Sequence, residues 1–394
     1  MSWPRVSLAD ISESIDYGHT ASADTNAVGP KFLRITDIQD GRVDWSSVPR
    51  CICSESGASK YALQDGDIVF ARTGATTGKS YLLYQIPEEA VFASYLIRVR
   101  PCQGNVDPGY LSQFFDTQDY WAQINRSSSG TAQGGVNASK LKMLSIPLPP
   151  LSEQRRIAAI LDKADALRGQ RRDATAKLDQ LLKSVFLEMF GGTTVATTSV
   201  AELAPSVGSI RTGPFGSQLL HSEFVDHGIA VLGIDNAVTN AFAWAKPRFI
   251  TAEKYSQLSR YRVNPGDVLI TIMGTCGRCA VVPDDIPTAI NTKHLCCISL
   301  DRTRCEPEFL HSYFLLHPVA RNYLESRAKG AIMAGLNMGI IKELPVVLPS
   351  LEKQRHFVSI KRALGRQLEQ TRAQENRFDE LFAGLQQHAF AGTL

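Results

Sequence analysis

The sequence predicts an α+β protein built twice: two similar α/β modules joined by two long helices that pair as an antiparallel coiled coil, with pseudo-twofold symmetry. Three observations predict it. The chain repeats itself at an offset of 200 residues. Each copy opens with about 150 residues of short apolar runs broken by Gly and Pro, the punctuation of strands and turns. Each copy then closes on a long stretch whose apolar residues recur at alternating steps of three and four, the pattern of a helical seam.

The repeat is visible at many points. Pro149-Pro150-Leu151-Ser152-Glu153-Gln154-Arg155 faces Pro349-Ser350-Leu351-Glu352-Lys353-Gln354-Arg355. Gly130, Gly135 and Asn137 face Gly330, Gly335 and Asn337, and Gly66-Asp67-Ile68-Val69 faces Gly266-Asp267-Val268-Leu269. Asp37 and Trp45 align with Asp235 and Trp244 after a slip of one or two residues. A period this long is too large for a solenoid and means whole duplicated domains. The expected boundaries are a first module over 1–150, a first helical spacer over 151–192, a second module over 193–349 and a second spacer over 350–394.

Within the modules, Asp67-Ile68-Val69-Phe70 and Tyr95-Leu96-Ile97-Arg98-Val99 read as strands, and Pro108–Asn125 and Pro307–Arg327 as helices. Each module ends on a proline-bounded strand, Ser145–Pro150 and Val346–Pro349. The first seam runs Ile157, Ile160, Ala164, Leu167, then Ala174, Leu178, Leu181 and Val185. The second runs Phe357, Ile360, Leu364, then Phe378, Leu381 and Leu385. Both turn polar midway, at Arg171 and at Gln367, Thr371 and Gln374, which weakens a helix pair but fixes its register. Glycine follows the last turn of each helix, a common stop. At 1.5 Å per residue each helix is a rod of roughly 55 Å. Packing the two against each other covers both seams. A rod carrying a module at each end suits a reader of two sites about one DNA turn, ~34 Å, apart.

Composition bounds the remainder. The chain has 394 residues, net charge +3 and 44% hydrophobic residues, an ordinary globular balance. The charge permits a basic face without demanding one. No apolar run approaches the ~20 residues of a membrane span, and Met1–Arg5 lacks a secretory core. Eight cysteines are too few for a disulfide scaffold, which points to a cytoplasmic setting.

The motifs resemble those of a known family. The Leu-x-Glu-Gln-Arg and Leu-x-Lys-Gln-Arg runs after a proline-rich strand, the Gly-Asp-Ile-Val and Gly-Asp-Val-Leu strands, Gly213–Ser217 and the Phe-Gly-like helix ends are similar to the specificity subunits of type I restriction–modification enzymes. The resemblance spans both repeats. It implies that the modules are target recognition domains for double-stranded DNA. It implies that the helices hold two modification (methyltransferase) subunits, with restriction/translocase subunits in the full assembly. Gln154, Arg155, Gln354 and Arg355 are then candidate partner contacts. Lys353 stands where the first copy has Glu153, so an acidic role there is not shared.

Candidate DNA contacts follow from chemistry. Phosphates are met by cations, hydroxyls and backbone N–H groups, and bases by forked donors and acceptors. The leading cluster is the glycine turn holding Arg72, Thr73, Thr76, Thr77 and Lys79, matched by Thr275 and Arg278. A second holds Arg126, Ser128, Ser129, Thr131 and Gln133, matched by Lys329. Further candidates are Lys31, Arg34 and Thr36 in the first module, and Asn291, Lys293 and His294 in the second. Arg211, Thr212 and Ser217 form one more loop candidate. Each of these also reads as an ordinary solvated loop.

Catalytic readings fare worse. Gly74–Ser80 is one residue short of a phosphate-binding loop, and its partner lacks the Lys-Ser pair. Cys276-x-x-Cys279 with Cys296, Cys297 and Cys305 has a zinc-like look, but the first copy has no matching cysteines. Asn291-Thr292-Lys293 lacks the carboxylate of a nuclease metal site. Leu148-Pro149-Pro150 is not an amino-methyltransferase motif. No catalytic residue, metal or cofactor is expected. The alternatives are a fused nuclease or methyltransferase, and a structural adaptor that does not read DNA.

Overall fold

The computed structural model describes residues 3–39, 41–102, 104–126, 135–192, 197–328 and 335–394. Its contacts divide the chain into two compact units, Met1–Arg172 with Ala373–Leu394, and Asp173–Arg372. Each unit therefore holds one module with part of both long helices.

In the first unit a four-stranded antiparallel sheet runs in the order Ser12–Tyr17, Leu96–Pro101, Ile68–Ala71, Ser80–Leu82. Lys31–Leu33 pairs in parallel with Ala90–Phe92. Arg5–Ser7 pairs antiparallel with Ser145–Pro147, which tethers the start of the module to its end. Phe70, Phe114, Phe115 and Tyr120 form a buried aromatic cluster beneath the sheet. The second unit repeats the plan. Its sheet runs Ile210–Thr212, Leu295–Ile298, Val268–Thr271, Cys279–Val281. Ile229–Leu232 lies parallel to Ala289–Asn291, and Thr197–Ser199 pairs with Pro345–Val347.

The Gly-Asp repeat has a local explanation. Gly66 and Gly266 sit at φ of 93° and 76°, which side chains resist. The next residue, Asp67 or Asp267, is buried and accepts the backbone N–H of Gln64 or Asn264 at 2.9 Å, closing the turn that launches the central strand.

Each expected module helix is broken in two. The first is Pro108–Phe114 and Gln118–Arg126. Thr117 Oγ1 accepts Tyr120 N–H at 3.1 Å, starting a new helix as serine and threonine caps do. The second is Pro307–Leu316 and Pro318–Ala328. Pro318 forces that break, since the residue before a proline avoids the helical region.

The long helices are Leu151–Phe190 and Leu351–Ala391. In the first unit Ile157, Ala158 and Leu161 pack with Ala389, Phe382 and Leu385. Farther along, Arg168 Nε donates to Asp379 at 2.7 Å, and Arg172 lies 3.6 Å from Glu375. In the second unit Phe186 and Phe190 pack edge-to-face with Phe357, and Arg372 meets Asp179 at 3.4 Å. Within each unit rising numbers on one helix meet falling numbers on the other, so the pair is antiparallel.

Most of the expected seam lies inward, with Ile157 and Phe357 buried and Ile160, Ala164, Ala174, Leu178, Val185, Ile360, Leu364, Phe378 and Leu385 half-buried, but three positions turn outward. Leu167, Leu181 and Leu381 are exposed at 45%, 47% and 68%. Leu161, Arg168, Leu182 and Phe382 lie inward instead. The first turns of each helix dock on a module, which sets the helix rotation. Arg168, ion-paired and 4.2 Å over the Phe382 ring, fills an inward position that an apolar template passes over. Among the described residues no helix is long and apolar enough to cross a membrane.

Candidate nucleic-acid interface

Three loops converge at one edge of each module, held by the same backbone hydrogen bonds. In the first module Arg72 N–H donates to Tyr95 O at 3.1 Å, and Val136 N–H donates to Arg72 O at 3.1 Å. In the second, Ile272 N–H donates to His294 O at 2.9 Å, and Leu336 N–H donates to Ile272 O at 2.9 Å. The hairpin tip, the turn before the next strand, and the segment leading to the Asn137 or Asn337 cap are thus stitched together twice. Gly18 and Gly213 permit a further close approach, because a Cβ there would strike the backbone carbonyl of Ala93 or Asn291.

The hairpin tips are equivalent in detail. Ala71 N–H donates to Lys79 O at 2.9 Å and Thr271 N–H to Arg278 O at 2.8 Å, so Lys79 and Arg278 share one place. Gly74 and Gly78, and Gly274 and Gly277, take positive φ of 72–86° to shape both tips. Arg72, Thr73, Lys79, Thr275 and Arg278 are exposed, and Thr76 and Thr77 half-buried. Thr77 Oγ1 donates to Gly74 O at 2.7 Å, so its hydroxyl braces the tip. The Arg72 guanidinium lies 4.9 Å from the Tyr17 ring, beside exposed Tyr95. Neither tyrosine stood among the expected contacts. In the second module His294 takes the place of Tyr95. Burial, with Lys293 and Arg248 nearby, lowers the pKa of His294 below its ordinary value. Arg126 is exposed at the end of its helix. Ser128, Ser129, Thr131, Gln133 and Lys329 lie outside the described residues.

Other candidates are placed elsewhere. Arg211 is half-buried and faces inward: it meets Asp267 at 2.9 Å and Ser299 Oγ at 2.9 Å, and donates to Arg262 O. It neutralises a buried carboxylate, so its guanidinium is committed within the module and is removed from the surface set. Asn291 is wholly buried, its Nδ2 donating to Leu295 O at 3.0 Å, so it too is removed from the surface set. Thr212 and Lys293 are half-buried, and Ser217 and Thr36 exposed. Lys31 is buried and donates to Val48 O at 3.0 Å.

Arg34 lies over the short turn Ile35–Asp37, held by Asp37 through Nε at 3.0 Å and Nη2 at 2.7 Å. The matching turn is Ile234–Asn236. Asp37 Oδ2 accepts Arg34 N–H and Asn236 Oδ1 accepts Gly233 N–H, so the structural partner of Asp37 is Asn236, one residue past the Asp235 that alignment by eye selects.

The expected partner contacts separate. Gln154 and Gln354 are buried latches between helix and module. Gln154 Oε1 accepts Asp107 N–H at 2.9 Å, while Nε2 donates to Asn105 O and Pro149 O. Gln354 repeats this with Glu306 N–H, Arg304 O and Pro349 O. At 1% and 0% exposure neither reaches another subunit, which corrects that expectation. Arg155 is exposed, and Arg355 pairs with Glu306 at 2.8 Å. All eight cysteines are free thiols, and the described residues hold no cluster fit for a metal.

Comparison with known proteins agrees with this architecture. Residues 2–174 and 233–376 match the family described as Type I restriction modification DNA specificity domain. The EcoKI specificity subunit of Escherichia coli K12 is 27% identical over 197 residues, 48% of this chain and 42% of that protein. The EcoBI specificity subunit of Escherichia coli is 25% identical, covering 67% of this chain and 61% of that one. The chain thus spans less than two thirds of the length of either relative. The Mycoplasma relative is a solved structure, "Type-I restriction-modification system S subunit from M. genitalium", with TM-score 0.59 and 14% identity over 99% of this chain and 96% of that one. A chain of the structure described as "complex assembly and conformational transition of the type I R-M system" has TM-score 0.61 and 17% identity over 100% and 98%. These last two are likenesses of fold. By the match to its domains, this chain belongs to the family of type I restriction–modification DNA specificity proteins.

Proposed function

We propose that this chain is the non-catalytic recognition subunit of a cytoplasmic type I restriction–modification complex. It reads a bipartite, gapped sequence in double-stranded DNA and positions methyltransferase and endonuclease subunits. One observation carries the reading: the three-loop edge is built twice on matching backbone bonds while its side chains differ, with Arg72, Tyr17 and Tyr95 in one copy facing Ile272, Thr212 and His294 in the other. A common scaffold with different chemistry suits two unlike half-sites. Lys79 and Arg278, both exposed at the tips, suit phosphate contacts that set position without sequence preference.

The helices support a seat for two copies of one partner. Leu181 and Leu381 are exposed and stand 200 residues apart, at the same place in each repeat. The test is methylome sequencing of cells expressing this chain with its modification subunit. An asymmetric, gapped motif in two parts is expected. A continuous palindrome, or no motif, would defeat the proposal.

A further inference from the structure

The turns Ile35–Asp37 and Ile234–Asn236 occupy the same place in the two modules. Each follows a strand whose last residue accepts a backbone N–H from the neighbouring turn: Ala93 N–H to Leu33 O at 2.9 Å, and Thr292 N–H to Leu232 O at 2.8 Å. That neighbouring turn also bonds the hairpin tip, so both sites adjoin the proposed DNA edge. In the second module Ile234 lies directly under the tip, 3.2 Å from where a Cβ on Gly274 would stand.

Arg34 occupies the residue before the turn in the first module. The matching residue in the second is Gly233, which carries no side chain. Its space is nonetheless filled by a guanidinium, because a Cβ on Gly233 would collide with Arg248 and lie 2.9 Å from its Cζ. Arg248 arrives from the far side, just before the strand Phe249–Ile250. It is held by Asp235 through Nη2 alone, where Asp37 holds Arg34 through Nε and Nη2. Two different sequence positions thus bring a carboxylate-held arginine against the matching turns. Both guanidinium groups reach solvent, at 39% and 35% exposure, although the Asp37 side chain itself is only 8% exposed.

We infer that Arg34 and Arg248 are the guanine-reading residues of the two modules. The inference rests on the recognition function proposed above. Asp37 grips the Nε and Nη2 side of the Arg34 fork. That leaves its Nη1/Nη2 edge to meet a base. Two parallel N–H donors match the O6 and N7 acceptors that guanine presents in the major groove. The aspartates are positioning residues, fixing the plane of the fork before DNA arrives.

The test uses the full chain with its modification subunit, carrying Arg34→Lys or Arg248→Lys. Motifs are read by methylome sequencing, and binding is measured on duplexes substituted at each base pair. Lysine keeps the charge and loses the fork. Each variant is expected to lose about 5- to 150-fold discrimination at one G·C pair, with R34K acting in one half-site and R248K in the other. Affinity for unrelated duplex and its salt dependence stay unchanged. Asp37→Asn and Asp235→Asn relax the same positions to a smaller degree, which keeps the test open should a lysine variant fold poorly. Uniform weakening on every sequence, a wild-type motif retained in both lysine variants, or both variants acting on one half-site overturns the inference. A wild-type chain that yields no gapped motif overturns the recognition reading along with it.

Discussion

In the first module the buried carboxylate of Asp67 meets Arg100 at 2.8 Å, from the adjacent strand Leu96–Pro101. In the second, Asp267 meets Arg211 at 2.9 Å, from the edge strand Ile210–Thr212. The position of Arg100 is taken there by Ser299, which donates to Asp267 at 2.6 Å. The position of Arg211 is taken in the first module by Asp16, paired with Arg98 at 2.9 Å. Both modules bury the aspartate because it closes the Gly-Asp turn, and both must neutralise it. The duplication has kept that requirement while the residue meeting it moved one strand across. Arg34 and Arg248 show the same behaviour at the edge.

The comparison breaks most sharply at these ion pairs. Arg100→Ala and Arg211→Ala each strand a buried carboxylate, and each is expected to cost about 3–5 kcal/mol in chemical denaturation. A much smaller loss for one would mean that its module has a second source of neutralisation. Next come the latches. Gln154→Leu and Gln354→Leu leave buried backbone groups unpaired, at about 1–3 kcal/mol each, so roughly 2–4 kcal/mol is expected for either variant. Hydrogen exchange should localise the loss to the first turns of the affected helix.

A third contrast is chemical. Lys361 stands where the first copy has the fully buried Leu161. Its Nζ donates to Glu308 O at 3.2 Å and to His311 Nδ1 at 3.0 Å. Burial lowers its pKa from 10.5 to about 8, and that of His311 to about 3. Between pH 8 and 10.5 the unfolded chain holds a proton on Lys361 that the folded chain has released. Stability from this group therefore rises with pH across that window. Lys361→Leu should remove the rise, seen as a stability difference from wild type that shifts steadily toward wild type between pH 8 and 10. A constant difference would show that the ammonium is not held as described.

The smallest effect on folding is expected at the tips. Lys79→Ala and Arg278→Ala should change stability by under ~0.5 kcal/mol. Each should weaken DNA binding on all sequences alike and reduce the salt slope by about one. Loss of sequence preference in either would move these cations from phosphate to base contact.

The architecture was legible because repeats and helical periodicity are local patterns. Gly66-Asp67 against Gly266-Asp267 located the central strands, and the seams located both long helices. What escaped was tertiary. Apolar periodicity cannot register Arg168 as an inward residue, so it assigns Leu167 to a place that Arg168 fills. Nothing beside Arg211 in the chain reveals that Asp267 awaits it. The Gln-Arg motifs were conspicuous for a reason other than the one expected: the glutamine faces its own module. Arg248 carried no repeat signal at all, because its counterpart stands at Arg34.

Gln154 and Gln354 contact their modules only through main-chain groups. Those bonds place no demand on module side chains, whereas Tyr110 packed with Ile157 in the first unit and Glu306 paired with Arg355 in the second do. A substitution in the three-loop edge therefore leaves the glutamine latch untouched.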